Sequence, residues 1–441
     1  MSVKQAGALM TQRRFWPLFV LLQTGTFNDN VLKNALIGLI TFGGVVFLSG
    51  LPSGIRVPVA AFIFTGPFLL VCAVAGQIAD KVDRGVILKT IKRCEIGIML
   101  IAALGFWFVN IWVLAFALFL MGAQSAFFSP TKNAVLPQWL ESDELITGNS
   151  ILNGFVFVFI LVGMVGGLFL VGMEGGPRIV AVILLVFALV GWGASEFVPP
   201  APAPKPELKI NFEPVTATIN VLRKALDSPH VLRPMLGIAW FYGLSTMIIT
   251  TLPDYVANVM GYDRNVLIVI LVFSTLGILI GSLLCMVLAK GERWGKESVG
   301  LSALGICGVI VFVTDLYFNA PSHSVVGPHD PRAGLATFFA AEGSKRMIFD
   351  ITMASIFNGL FVVPLQAMAQ RRADPAIRAR LMSAGAVLLN LFVNVVTFAL
   401  IGMAALALPP KSPFLIIIFV SLFVAAYSVW RTFHPIKQEA I

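Results

Sequence analysis

The sequence predicts an all-α integral membrane protein of twelve transmembrane helices in two six-helix halves. Three observations carry that prediction. The chain is 58% hydrophobic and 12% charged, with a mean hydropathy of +0.90, more apolar than a water-soluble core accounts for. Apolar stretches of about 20 residues, long enough to span ~30 Å of hydrocarbon at 1.5 Å per residue, recur twelve times. A proline-rich polar segment then separates six of them from the other six.

The expected spans are 15–45, 57–80, 86–108, 110–131, 148–171 and 178–198, then 232–257, 264–289, 298–318, 346–370, 377–405 and 412–432. The halves are thus 1–198 and 232–441, joined by a linker over 199–231. That linker opens with Pro199, Pro200, Pro202, Pro204 and Pro206, which favour extended backbone and cannot continue a helix; a short surface helix is expected around 216–226. The second polar insertion, Asn319 to Arg346, holds His323, His329 and Asp330 and reads as a mobile extracytoplasmic loop. Short cytoplasmic loops retain Lys and Arg. With both termini inside, 23 of the 31 basic residues fall on the cytoplasmic side, Lys92 among them, so the +9 charge follows from topology and needs no nucleic-acid partner.

Asp29 and Lys33 stand out because both lie within the first apolar segment, where a charge at mid-membrane costs about 2.5–3.5 kcal/mol. Four residues apart on a helix, they are expected to meet and partly offset that cost. Gln23, Thr26, Asn30 and Asn34 extend the stripe at spacings of three and four, so this face is expected to look onto a wet path or partner helices. Asn390, Asn394 and Thr397 form a similar stripe on the eleventh span.

Between the second and third spans the chain reads Gly76-Gln77-Ile78-Ala79-Asp80-Lys81-Val82-Asp83-Arg84-Gly85, which resembles the cytoplasmic signature of the major facilitator superfamily. Gly76 is expected to permit close helix approach, and Asp80 to pair with a base such as Arg84 and act as a conformational latch. A looser echo, Lys290 to Lys296, stands at the matching turn of the second half. Further segments narrow the resemblance: Phe27-Asn28-Asp29-Asn30, Phe128-Ser129-Pro130-Thr131-Lys132 and Asn358-Gly359-Leu360-Phe361-Val362-Val363-Pro364-Leu365-Gln366-Ala367, with Asn149 and Asn390. Together they resemble the lysophospholipid transporter (LplT) family, including the transporter domains fused to acyltransferases. Ile249 and Val393 stand where some relatives carry charge, which implies a different charge network here.

The resemblance implies a flippase of the cell inner membrane that moves lysophosphatidylethanolamine-like lipids from the outer to the inner leaflet for reacylation. It also implies a functional link to an acyltransferase/acyl carrier protein synthetase. A lysolipid pairs a charged head with one acyl chain, so its carrier needs a small polar patch in an apolar cavity. Asp29, Asn30, Lys33 and Asn149 from the first half, with Gln366, Asn390 and Asn394 from the second, are the substrate-binding candidates. Lys33 is suited to phosphate and Asp29 to an ammonium. Lys132 is a candidate for head-group release, against simple snorkelling. Gly163 and Gly167 form a GxxxG better suited to packing than to transport. The alternative reading on the same fold is a proton-coupled exporter or metabolite permease, in which Asp29 carries the proton.

No cofactor or metal is expected, and enzyme readings fit poorly. None of the four histidines lies in a span or is followed five residues later by Asp, as a histidine-dependent acyltransferase requires. At Gly295-Lys296, Lys290 stands where a P-loop needs its first glycine and Glu297 where it needs Ser or Thr. Cys72, Cys94, Cys285 and Cys307 lack metal-ligand spacing.

Overall fold

The computed structural model describes residues 9–140, 144–208, 228–288, 299–319, 331–372 and 378–434, with isolated positions between 210 and 226. In the first half α1 is Trp16–Thr41, α2 Ser53–Lys81, α3 Arg84–Trp107, α4 Ile111–Trp139, α5 Glu144–Leu170 and α6 Gly176–Ser195. In the second, α7 is Pro229–Asp254, prolonged by a π turn at Tyr255–Val259, and α8 is Arg264–Leu288. Then follow α9 Val299–Asn319, a six-residue helix Leu335–Ala340, α10 Ser344–Arg372, α11 Arg378–Ala405 and α12 Ser412–Phe433. No strand occurs among the described residues. Among the described residues nine helices are long and apolar enough to cross a membrane, and α5 adds the shorter apolar stretch Gly154–Leu170. The protein is a multi-pass membrane protein. The helices outside both sets, α1 and α3, carry Asp29, Lys33, Lys92 and Glu95 within their apolar length.

By packing, the chain divides into a first unit, Met1–Gly50 with Val59–Val221, and a second, Leu51–Pro58 with Leu222–Ile441. Within lipid there is little hydrophobic drive to join helices, so close backbone contact at small residues takes over. In the first unit Gly163 and Gly167 of α5 lie against α1. A Cβ at Gly163 would sit 2.9 Å from the Phe27 carbonyl oxygen, and one at Gly167 2.7 Å from that of Val31. The expected packing role of this GxxxG is what the geometry shows. The second unit repeats the device between α8 and α10, where a Cβ at Gly277 would meet the Thr352 carbonyl oxygen at 2.7 Å and one at Gly359 that of Ile278 at 2.7 Å.

Two sequence expectations are corrected. Helix α4 does not end near Thr131 but continues through Pro130 and Pro137 to Trp139. Each proline removes a single donor, the Thr131 hydroxyl donates to the Phe127 carbonyl at 2.9 Å, and Val135, Leu136 and Trp139 are buried in one apolar cluster with Phe15 and Leu18. The insertion before α10 is not all irregular loop. Residues 331–343 dock on the turn after α7, where Tyr262 and Ala333 form an isolated bridge and Arg332 donates to the Ala257 carbonyl and the Asn258 Oδ1, both at 3.0 Å. His323, His329, Asp330 and the echo motif at Lys290 to Lys296 lie outside the described residues.

Candidate functional site

Helix α1 turns two polar edges into the first unit. On one, Asn28 is fully buried and its Nδ2 donates to Glu95 Oε1 at 3.1 Å and to the Leu184 carbonyl at 3.3 Å. Thr24, also buried, accepts from Lys92 Nζ at 3.3 Å, while Lys92 donates to Glu95 Oε2 at 2.7 Å. This ion pair is sealed, with Lys92 1% and Glu95 0% exposed. Glycines make the room: a Cβ on either Gly25 or Gly191 would lie 3.2 Å from the Lys92 ammonium. The assignment of Lys92 to the cytoplasmic loop charge is therefore corrected. Its neighbour Arg93 does behave as a surface charge, paired at 3.0 Å with Glu196, whose carboxyl that hydrogen bond holds below its usual range.

On the other edge, half-buried Asp29 and Lys33 do not form the expected pair. Spacing of four allows contact without requiring it. Asp29 instead accepts from Ser125 of α4, at 3.0 Å to Oδ2 and 3.2 Å to Oδ1, and Lys33 Nζ lies over the Phe64 ring, 5.8 Å from its centroid. Ser125 Oγ is also 3.3 Å from Gln124 Oε1, and Gln124 Nε2 donates to Glu95 Oε2 at 3.3 Å. Asp29, Ser125, Gln124, Glu95 and Lys92 thus form one polar chain within the first unit. A cation or proton arriving at Asp29 can shift the Ser125 proton and, through Gln124, the field at the buried pair.

The remaining stripe of α1 is turned to structure. Gln23 Nε2 donates to the Leu152 carbonyl of α5 at 3.2 Å, and Asn30 and Asn34 donate to carbonyls one turn earlier, both at 2.9 Å. In the second unit the α11 stripe splits. Asn394 and Thr397 are closed off, 1% and 0% exposed, and bond to the carbonyls of Asn390 and Val393 in their own helix at 2.8 Å. Asn390 is half-buried, as is Gln366 of α10. A mainly apolar cavity of about 290 Å³ in this unit, with Ser53, Thr250, Thr251 and Asp254 among its lining residues, is lined by none of these second-half candidates. Lys132, expected at a helix end, lies half-buried inside α4. Asn149 falls in α5, and its side chain lies outside the described residues.

At the turn between α2 and α3, Arg84 Nη2 pairs with Asp80 Oδ1 at 3.1 Å, and its other donors reach the carbonyls of Ala79 at 2.9 Å and Ala134 at 3.1 Å. Asp83 caps α3 by accepting from the amides of Gly85 and Val86. Gly76 does not support a close approach as expected, since a Cβ there would meet nothing within 4 Å. A feature not anticipated is the proline segment lying on this turn. Ala201 donates its N–H to Asp83 at 3.2 Å and accepts from the Arg84 amide at 2.9 Å; Lys205 N donates to the Asp80 carbonyl, and Trp139 Nε1 to that of Pro200. Gly85 lets it sit close, since a Cβ there would be 2.6 Å from the Pro199 oxygen.

A family model described as Major Facilitator Superfamily matches residues 54–326. Among curated relatives, lysophospholipid transporter LplT of Klebsiella pneumoniae subsp. pneumoniae is 24% identical over 362 residues, covering 81% of each chain, and that of an Enterobacter species 23% identical over 361 residues with the same coverage. These matches bear out the resemblance to the lysophospholipid transporter family. Among solved structures, a bacterial homologue of the human lysosomal transporter Spinster aligns with a TM-score of 0.63 at 12% identity over 98% of both chains. The nucleoside transporter NupG aligns at 0.60 with 13% identity, over 93% of this chain and 99% of its own. At such identities these structures speak for the fold.

Proposed function

We propose, starting from the premise that this chain belongs to the Major Facilitator Superfamily, that it is a transporter whose cargo is lysophospholipid. The cargo is of the lysophosphatidylethanolamine type, carried from the outer to the inner leaflet of the bacterial cytoplasmic membrane for reacylation, with both termini cytoplasmic. The observation that carries the reading is the half-buried Asp29 at the head of a chain of polar groups within apolar walls. It offers an ionisable acceptor to a head-group ammonium, with Lys33 one turn away for phosphate. The names of the relatives support the same cargo. An acyltransferase/acyl carrier protein synthetase is the natural consumer of the product.

The test is uptake of labelled lysophosphatidylethanolamine by vesicles reconstituted with the protein. The proposal expects uptake that outpaces monoacylglycerol, and expects Lys33→Met to slow phosphate-bearing lysolipids selectively. Uptake indifferent to head group would sink it. A second reading has its own support. Because Asp29, among the described residues, forms no ion pair and accepts its hydrogen bonds from the Ser125 hydroxyl, it is also suited to carry a proton, as a proton-coupled exporter or metabolite permease requires.

A further inference from the structure

Between the last turn of α9 and the first turns of α10 lies a groove of about 540 Å³. One wall is apolar and faces outward from the unit: Val311, Phe318 and Phe349 are 60%, 72% and 56% exposed. Large apolar side chains exposed side by side on spanning helices suit contact with lipid chains. The groove also holds Asp315, Arg346 and Asp350. Arg346 clamps Asp315 through Nε to Oδ2 at 2.8 Å and Nη2 to Oδ1 at 2.5 Å, and Asn319 Nδ2 donates to the same carboxylate at 2.8 Å. Asp315 is thus well satisfied. Asp350 is not: it is 2% exposed, and its Oδ2 is buried without a hydrogen-bond partner.

With both carboxyls ionised the one guanidinium leaves a formal deficit of one positive charge, which a proton shared between Asp315 and Asp350 or an arriving cation makes good, and the orphaned Oδ2 still needs a donor. Depth restricts what supplies it. Helix α10 has 29 residues, ~43 Å at 1.5 Å per residue, which matches a bilayer with its head groups. Asp350 is the seventh residue of that helix, ~9 Å from its start, and so lies at the boundary between head groups and hydrocarbon. A primary ammonium brings a charge and three N–H donors; a trimethylammonium brings the charge and no donor; an anionic head group worsens the deficit.

We propose that this groove is a lateral site for a two-chain ethanolamine phospholipid of the surrounding leaflet, its ammonium donating to Asp350 Oδ2 and its acyl chain lying along Phe318 and Phe349. Arg346, exposed at the mouth, is already engaged by Asp315, so the ammonium and not the phosphate carries the recognition. The site is apart from the Asp29 chain and does not rest on the transport reading.

The experiment is native mass spectrometry of the full-length protein in detergent, titrated with ethanolamine, choline and glycerol phospholipids of identical chains and with lysophosphatidylethanolamine. The expected result is that the two-chain ethanolamine lipid is held about tenfold tighter than its choline analogue, the ratio one charge-assisted hydrogen bond supplies. Asp350→Leu, close in size but without an acceptor, is expected to erase that preference. The wild-type head-group series needs no variant and decides the matter even if Asp350→Leu fails to fold. Equal retention of ethanolamine and choline lipids, a preference that survives Asp350→Leu, or retention of the single-chain lipid alone would each overturn the assignment.

Discussion

Lys92 Nζ lies 2.7 Å from Glu95 Oε2, one turn apart on α3, and neither side chain reaches the surface of its unit. Removing one member of such a pair strands the other charge in a low dielectric, at about 3–5 kcal/mol, whereas replacing both by apolar groups is often neutral. Lys92→Met and Glu95→Gln are each expected to lower the thermal midpoint and the folded yield in detergent. The double variant is expected to recover most of the loss. A double variant as unstable as the sum of the singles would show that the two charges are uncoupled.

Asp29→Asn keeps shape and hydrogen bonding but removes charge. On the head-group reading, lysolipid uptake falls about tenfold whether or not a pH gradient is imposed, the loss expected for one charge-assisted contact. Uptake by the parent that responds to the gradient, with Asp29→Asn losing only that response, would transfer the residue to the proton-coupled reading.

The α1–α5 seam gives a stability prediction. Because a Cβ at Gly167 would sit 2.7 Å from the Val31 carbonyl oxygen, Gly167→Leu must push the helices apart, at roughly 1–3 kcal/mol for overpacking. Gly166, where a Cβ meets nothing within 4 Å, is the control: Gly166→Leu is expected to leave the thermal midpoint close to that of the parent.

On α11 the two asparagines are expected to separate. Asn394→Ala removes a sealed amide and is expected to alter stability, with the interhelical scale of about 0.6 kcal/mol in membranes as a guide. Half-buried Asn390→Ala is expected to slow lysolipid uptake at unchanged stability. Parental uptake by both Asn390→Ala and Asn30→Ala would remove these stripes from the transport path.

The helices were legible because a bilayer forces long apolar runs, and such runs need no partner to be recognised. The Asp80–Arg84 pair was legible too, since both members lie within one short motif. The partner of Asp29 was not: Ser125 is 96 residues away and carries no charge to flag it. Lys92 was hidden by company, standing between Lys89 and Arg93 where a topology rule already accounts for basic residues. Only Glu95, an acid three residues further into the span, marked it as different. The docking of the proline segment left little trace, because its contacts run mainly through backbone groups.

That segment behaves as a ligand the protein carries for itself. It follows α6 within a few residues, so its effective concentration at the Asp80–Arg84 turn is on the order of millimolar, and contacts too weak to hold a free peptide keep it seated. Its prolines fix φ beforehand, which lowers the ordering entropy it loses on docking. Gly85→Val, which would drive a Cβ into the Pro199 oxygen, acts as a competitive block built into the receptor. It is expected to expose 199–208 to protease while the unit itself stays folded, the behaviour of an occupied site emptied of its ligand.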